Sequence, residues 1–332
     1  MSSQLRGRAG RVTQAQVWEL AAHLTDRDRE IVVALFEQRV LRTDQVAVLF
    51  FSSVRRAQDR LLFLYRRRVV DRFYPAAPRG RGKSQAHWLL DDAGAHIVAA
   101  CLDVERKALH WERRSDWGAH RHLAHRLGVN GFVTGLVAAT LRDPGVGVAR
   151  WHGPRAVARV IPGGLTERPI PDAGFQLSTP AGRVECLLEW DRGTESGSVL
   201  REKLYRYRRA SDDARGGTVA NVLFVVPSEP RAETLHRALV DADRPSEWDL
   251  VRAHWEDWPL LVTTTDELEQ AGPLGRIWRS VDQSRRSPLA LADLAPPADG
   301  EEPLPLADCL GRRWRKDNPE FWARLSPLTA RR

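Results

Sequence analysis

The chain has 332 residues, which is enough for about two domains of ordinary size. Apolar residues make up 42% and charged residues 28%, which is typical of globular proteins and excludes a largely disordered chain. No apolar run is long enough to cross a membrane, and the basic first residues lack the apolar stretch of a secretory signal. The three cysteines lie far apart, which excludes a disulfide framework and predicts a cytoplasmic location.

The net charge of +8 is concentrated in one segment of the chain. Residues 52–83 contain ten Arg and Lys residues and only two Asp residues, so the remaining sequence is close to neutral. A single basic segment predicts a polyanionic partner, and nucleic acid is the most common one.

Residues 25–105 are predicted to form a winged helix-turn-helix domain. Thr25 and the acidic residues after it are typical of a helix N-terminus, and a second helix is expected to begin at Thr43. Ser52 or Ser53 caps a third helix, whose apolar residues recur at helical spacing. Two β-like runs, VVDRFYP and AHWLL, follow and flank a turn rich in glycine and arginine.

In this fold the third helix enters the major groove of duplex DNA, and the hairpin lies along the phosphate backbone. A solvated helix face and a protein-binding face are the alternatives, but the helix order, the polar face and the basic hairpin together favour DNA binding. The predicted DNA-binding residues are Arg55, Arg56, Gln58, Arg60, Arg79, Arg81 and Lys83.

Residues 168–195 are predicted to form a β-hairpin around a turn at 179–182. If the strands pair symmetrically, Asp172 faces Glu189, and Asp191 shares their face because residues two apart point the same way. Converging carboxylates repel one another unless a cation lies among them, and Mg²⁺ or Mn²⁺ suits such ligands. We therefore predict Asp172, Glu189 and Asp191 as metal ligands, with no organic cofactor; a solvated acidic face is the alternative.

The elements around this hairpin predict an α/β domain at residues 106–275. A helix and a strand precede the hairpin, and a helix, a strand, a further helix and a further strand follow it, so the order is α-β-β-β-α-β with an added α-β. Lys203 and Tyr207 lie four residues apart on one face of the helix after the hairpin. Residues 1–24 form a basic arm, and residues 276–332 are predicted as a proline-rich linker with a Trp/Arg-rich C-terminal segment.

This order, with a Pro-Asp pair ending at Asp172 and the motif Glu189-x-Asp191 on the next strand, resembles the PD-(D/E)XK nuclease superfamily. The resemblance implies that Asp172 and Glu189 bind metal and that a lysine two residues after Glu189 helps to activate water. Asp191 stands at that lysine's position, and Lys203 is the residue that would supply the ammonium instead. Lys203-x-x-x-Tyr207 also resembles the helix motif beside the active site of RecB-like nucleases. The implied catalytic residues are Asp172, Glu189, Asp191, Lys203 and Tyr207.

Most of residues 24–228 resemble the replication-relaxation family of actinobacterial plasmids and integrated elements. The matching stretches are LTDRDREIVVALFEQRVLRTDQVAVLFF, RLLFLYRRRVVDRF, HRLGVN, PDAGF, LLEWDRGTE, EKLYRY and NVLFVVPSE. The resemblance implies a DNA-binding protein that acts in replication, relaxation or conjugative transfer of a mobile element. Its implied partners are double-stranded DNA and other plasmid replication or transfer proteins.

Three hypotheses follow for the function of the chain. The first is a DNA-binding protein whose nuclease-like second domain is not catalytic, and the second is a Mg²⁺-dependent endonuclease that uses Asp172, Glu189 and Lys203. The third is a winged-helix transcriptional regulator. Asp191 at the lysine position argues against catalysis, whereas Lys203 argues for it, so the sequence leaves the choice open.

Overall fold

The computed structural model of the chain describes residues 12–21, 23–75, 84–102, 105–109, 122–143, 145–158, 160–162, 168–213, 218–242, 259–282, 287–296 and 302–304. These residues divide into two compact units, one up to Thr134 and one from Gly135 onward. Both units mix helices and strands, as expected for an α/β protein.

The first unit is mainly helical and contains a small sheet. In chain order, its described elements are α1 (Gln14–Ala21), α2 (Asp26–Gln38), β1 (Leu41–Arg42), α3 (Thr43–Phe50), α4 (Val54–Arg66), β2 (Val70–Phe73), β3 (His87–Leu90), α5 (Asp92–Leu102) and α6 (Leu123–Thr140), the last of which extends past Thr134.

The helix starts predicted from the sequence are confirmed. Thr25 caps α2, since its hydroxyl accepts a hydrogen bond from the backbone of Asp28 while the Asp28 carboxylate accepts one from the backbone of Thr25. Ser53 caps α4 by accepting a hydrogen bond from the backbone of Arg56. These caps satisfy N–H groups that the first turn of a helix leaves without partners.

The hairpin expected after α4 is also present. β2 and β3 pair antiparallel, and β1 adds to the other edge of β3, so the sheet order is β1-β3-β2. The segment between β2 and β3 includes Arg79, Arg81 and Lys83, which lie outside the described residues.

The first unit continues beyond residue 105, where the sequence had suggested a domain boundary. Leu123 and Leu127 of α6 pack against a core cluster that includes Val40 and Phe73. The amide of Asn130 donates hydrogen bonds of 2.6 Å to the carbonyl of Val40 and 3.1 Å to that of Gln38. α6 therefore completes this unit by covering apolar surface and satisfying carbonyls at the end of α2.

The second unit is built around a larger sheet. In chain order, its described elements are β4 (Gly147–His152), α7 (Pro154–Val157), β5 (Ala173–Thr179), β6 (Gly182–Trp190), α8 (Gly197–Asp213), β7 (Thr218–Val219), β8 (Asn221–Val226), α9 (Glu229–Ala242), β9 (Leu260–Thr264), α10 (Thr265–Ala271), β10 (Arg279–Ser280) and β11 (Glu302–Pro303).

Six of these strands form one mixed sheet in the order β10-β9-β8-β6-β5-β4. β6, β8 and β9 are parallel, whereas β4, β5 and β10 pair antiparallel with their neighbours. The predicted hairpin register is confirmed, since Ala173 pairs with Leu188 and Thr179 pairs with Gly182. Gly182 has a φ of 142°, a conformation that favours glycine at this turn.

Helices α8 and α9 cover the face of the sheet that carries the predicted acidic residues. Leu187 of β6 and Phe224 of β8 pack there with Leu204 of α8 and Leu235 of α9. Glu189, two residues after Leu187, is 3% exposed. The alternative of a solvated acidic face is therefore wrong.

Part of the segment predicted as a linker, residues 276–332, is built into the second unit. Trp278, Leu291 and Leu304 are fully buried, β10 pairs with β9, and β11 lies parallel to β7. Apolar side chains between the prolines supply buried surface that a free linker lacks. The Trp/Arg-rich stretch after Leu304 lies outside the described residues.

Candidate functional sites

The first candidate site is the exposed face of α4. Ala57, Leu61 and Leu64 are fully buried on one side of this helix, whereas Arg55, Arg56 and Gln58 are exposed on the other. The apolar spacing forces this division, since residues three and four apart share a helix face. α4 thus presents two guanidinium groups and one amide outward near its N-terminal end.

Arg60 lies differently from the other predicted DNA-binding residues of α4. Its Nε donates a 2.7 Å hydrogen bond to Asp28 Oδ1, and a second guanidinium nitrogen donates to Oδ2. Asp28 is fully buried, and the Arg60 guanidinium also lies over the ring of Phe63 at 4.2 Å. Arg60 therefore joins α4 to the start of α2, and two of its guanidinium nitrogens donate to the buried Asp28.

Aromatic rings hold a further arginine at the base of the hairpin. The guanidinium of Arg72 on β2 lies 4.7 Å from the ring centre of Tyr65 and 5.5 Å from those of Tyr74 and Trp88. Such cation–π contacts restrain a long side chain without using its hydrogen-bond donors. Arg72 extends the basic surface from α4 towards the hairpin.

The second candidate site is a group of four side chains, which we call the polar centre: Asp172, Glu189, Lys203 and Tyr207. Asp172 comes directly before β5, and its backbone N–H donates to the carbonyl of Leu188 at 2.8 Å. Its carboxylate accepts a 2.9 Å hydrogen bond from the backbone of Trp190. Asp172 is thereby held on the strand next to Glu189, as the hairpin register predicts.

Lys203 and Tyr207 reach Glu189 from α8, because residues four apart lie on one face of a helix. Lys203 Nζ is 3.1 Å from Glu189 Oε2, and the Tyr207 hydroxyl donates a 2.6 Å hydrogen bond to Glu189 Oε1. Tyr207 is fully buried and packs edge-on against Phe224. Glu189 is thus the carboxylate on which Lys203 and Tyr207 converge.

The charges of the polar centre act strongly on one another. Burial raises the pKa of Glu189 to about 7, although the ammonium of Lys203 opposes this shift, and the charge of Asp172 adds to it. Burial alone would lower the pKa of Lys203, but the carboxylates of Glu189 and Glu195 raise it above its ordinary value. Lys203 therefore remains charged at neutral pH and is the counterion of this site.

Asp191, the third predicted metal ligand, has partners of its own. Arg231 of α9 donates to Asp191 Oδ2, and the backbone of Gly193 donates to Asp191 Oδ1 at 2.7 Å. Its own N–H donates to the carbonyl of Val225 on β8 at 2.9 Å. The structure therefore directs this carboxylate to α9, and Lys203 bonds Glu189 and Glu195 instead.

The arrangement of these carboxylates does not fit a metal ion. Their oxygens have the right chemistry for Mg²⁺ or Mn²⁺. However, both oxygens of Glu189 accept hydrogen bonds from Lys203 and Tyr207, and both oxygens of Asp191 accept hydrogen bonds from Arg231 and Gly193. Within the described residues, no three or more His, Cys, Asp or Glu side chains are grouped in a way that could hold a metal.

Glu195 is a site residue that the sequence interpretation did not identify. It lies in the loop before α8, and its carboxylate oxygens are 3.0 and 3.2 Å from Lys203 Nζ. Glu195 and Lys203 are eight positions apart and are joined through a loop, so no helix or strand periodicity predicts their contact. The sequence WDRGTE contains Glu195, but nothing in it indicates that Glu195 pairs with Lys203.

The two units together define a mixed α/β protein with an arginine-bearing helix in one unit and a buried polar centre in the other. The profile of the replication-relaxation family matches residues 33–222, more than half of the chain and parts of both units. The chain belongs to this family, whose description suggests a role in plasmid replication or relaxation. No curated protein and no solved structure gives a match. None of the described helices is both long and apolar enough to span a membrane.

Proposed function

We propose that this chain is a cytoplasmic DNA-binding protein of a plasmid or other mobile element, acting in its replication, relaxation or conjugative transfer. The observation that carries the proposal is the exposed face of α4, with Arg55, Arg56 and Gln58, within a segment that concentrates the net charge of the chain. Membership of the replication-relaxation family supports the biological context.

In this proposal the first unit acts as a winged helix. Arg and Gln side chains can form paired hydrogen bonds with guanine and adenine edges in the major groove, so Arg55, Arg56 and Gln58 are suited to read bases. The segment between β2 and β3 contains further arginines and a lysine, which suit contacts with the phosphate backbone. We assign Arg60 a positioning role, since its guanidinium is bound to Asp28.

DNA binding is expected to depend strongly on salt. If about four to six phosphates are neutralised, the logarithm of the affinity should fall against the logarithm of salt concentration with a slope of roughly −4 to −5. Replacing Arg81 and Lys83 together by alanine should flatten the slope by about 2 and weaken binding to all DNA sequences alike. Replacing Arg56 should instead reduce discrimination between sequences. Fluorescence anisotropy with labelled duplexes at several salt concentrations measures both effects.

The matched control removes two charges elsewhere. Arg201 of α8 and Arg237 of α9 are exposed in the second unit, and their double replacement by alanine should leave the slope unchanged. Salt-independent binding would contradict the proposal. So would full affinity after replacement of every Arg and Lys in residues 52–83.

For the second unit we propose a nuclease-like fold that is not catalytic and that serves as a platform for other replication or transfer proteins. Supporting this, internal hydrogen bonds and ion pairs satisfy both oxygens of Glu189 and of Asp191. The buried Tyr207 acts here by orienting Glu189, because no solvent reaches its side chain.

A second candidate function is a Mg²⁺- or Mn²⁺-dependent DNA endonuclease that uses Asp172, Glu189 and Lys203, favoured by the contact between Lys203 and Glu189 and by the charge of Asp172 acting on Glu189. It requires that Lys203 and Tyr207 release Glu189. Two results together would establish it. Calorimetry would show Mn²⁺ binding that is abolished when Asp172→Ala and Glu189→Ala are combined, and the wild type would cleave supercoiled or single-stranded DNA. We expect neither binding nor cleavage, which is the outcome for a non-catalytic unit.

A further inference from the structure

Three aromatic rings of the first unit surround the guanidinium of Arg72, which we call the aromatic cage: Tyr65, Tyr74 and Trp88. Their ring centres lie 4.7 to 5.5 Å from the Arg72 guanidinium carbon. Among the described residues, no side chain or carbonyl accepts a hydrogen bond from this guanidinium, and no carboxylate pairs with it. The rings therefore hold the charge while its N–H donors stay available for a ligand.

The aromatic cage has a fixed inner wall and an outer wall at the surface. Trp88 is 2% exposed, its Nε1 donates a 2.9 Å hydrogen bond to Thr43 Oγ1, and it lies opposite Arg72 in the register of β2 and β3. Tyr65 packs edge-on against Trp88, with 6.3 Å between the ring centres. Tyr74 is 47% exposed and forms the outer wall. Arg72 is thus ordered before any ligand binds, which reduces the entropy lost on binding.

The aromatic cage lies further along the same side of α4 that carries the exposed Gln58. Tyr65 follows Gln58 by seven residues, which is two helical turns or roughly 10 Å along the axis. A recognition helix contacts bases through its N-terminal residues, and the major groove is roughly 12 Å wide. Arg72 beside Tyr65 is therefore within reach of the phosphates that border the groove.

We infer that Arg72 binds a backbone phosphate of double-stranded DNA and that the aromatic cage positions its guanidinium for this contact. The planar guanidinium can donate two parallel hydrogen bonds to one phosphate. Since a phosphate contact carries no sequence information, Arg72 should strengthen binding to all DNA sequences alike. The inference rests on the proposed DNA binding through α4 and adds a contact from β2.

The test is fluorescence anisotropy of the full-length protein with two labelled duplexes of unrelated sequence at several salt concentrations. Arg72→Gln keeps a polar side chain against the rings but removes the charge. It should weaken binding to both duplexes by about ten-fold and flatten the salt slope by about 1. Arg72→Lys should keep the wild-type slope but bind more weakly than the wild type, because an ammonium lacks the paired donors. Arg201→Ala, an exposed change in the second unit, should behave like the wild type.

A second set of variants tests the positioning role of the aromatic cage. Tyr74→Leu should weaken binding by about two- to five-fold and leave the salt slope unchanged, since the charge stays but loses one ring. Tyr74→Phe keeps the ring and should behave like the wild type. In the Arg72→Gln background, Tyr74→Leu should have no further effect, because the ring acts through the guanidinium.

Several results would overturn the inference. Wild-type affinity and slope in Arg72→Gln, with salt-dependent binding by the wild type, would overturn it alone, whereas salt-independent wild-type binding would also overturn the proposed function. Unequal weakening of the two duplexes by Arg72→Gln would show that Arg72 reads bases. A full effect of Tyr74→Leu in the Arg72→Gln background would show that the ring acts without the guanidinium. If Arg72→Gln lowers the melting temperature, Arg72→Lys decides, since a flattened slope in that variant contradicts the phosphate contact.

Discussion

Replacing Arg60 by alanine is expected to lower the free energy of unfolding by about 3 kcal/mol. The carboxylate of Asp28 is fully buried, and Arg60 is the charged partner that donates to both of its oxygens. Removing the guanidinium leaves a buried charge that retains only the hydrogen bonds from Thr25. Urea denaturation followed by circular dichroism measures the loss.

Arg56→Ala is the matched control, because Arg56 lies on the same helix and is exposed. Its replacement should change stability by less than about 0.5 kcal/mol. A double-mutant cycle with Asp28→Asn should give a coupling energy that accounts for much of the Arg60 effect. Equal stability losses for Arg60→Ala and Arg56→Ala would contradict the structural role of the ion pair.

The same ion pair predicts the acid sensitivity of the first unit. Burial would raise the pKa of Asp28, but hydrogen bonds from Arg60 and Thr25 outweigh it and lower the pKa below its ordinary value. A lowered folded-state pKa contributes stability that is fully present above the unfolded-state pKa and is lost as the pH falls through the folded-state value. Arg60→Ala removes the main lowering influence, so this loss should begin at a higher pH.

Arg60 also shows how a residue on a DNA-binding helix can affect affinity without touching DNA. Its ion pair joins α4 to the capped start of α2, so its loss disturbs the position of the helix that carries Arg55 and Arg56. A DNA-binding defect in Arg60→Ala should therefore accompany a stability defect. Defects in Arg55→Ala and Arg56→Ala should occur in a fully stable protein.

The sequence was sufficient for the parts of the fold that depend on local signals. The hairpin register follows from one turn and from nearly complete alternation along β5 and β6, since a slip by one residue would move apolar side chains such as Phe175 or Cys186 to the face of the sheet that carries Glu189. The helix starts at Thr25 and Ser53 follow from capping chemistry between residues three positions apart. Turn residues, alternation and helix caps each act on residues that are close in the sequence, so they can be read from the sequence alone.

The partners of charged side chains could not be predicted in the same way. Asp28 and Arg60 are 32 positions apart, and Asp191 and Arg231 are 40 positions apart, so no periodicity connects them. The sequence analysis predicted Asp191 as a metal ligand together with Asp172 and Glu189, because residues two apart on a strand share a face. Only the packing of α9 beside β8 brings Arg231 to Asp191 and separates that carboxylate from Lys203.

The ion pair between Asp191 and Arg231 gives the last prediction. Replacing Arg231 by alanine is expected to lower the free energy of unfolding by about 3–5 kcal/mol, because the Asp191 and Arg231 side chains are only 4% and 11% exposed. Arg237→Ala, an exposed change on the same helix, should cost less than about 0.5 kcal/mol. Asp191→Asn combined with Arg231→Gln should recover part of the loss, since neither variant side chain carries a charge that burial penalises. If Arg231→Ala proves as stable as Arg237→Ala, Asp191 is not held by α9 and becomes available again as a ligand of the predicted metal site.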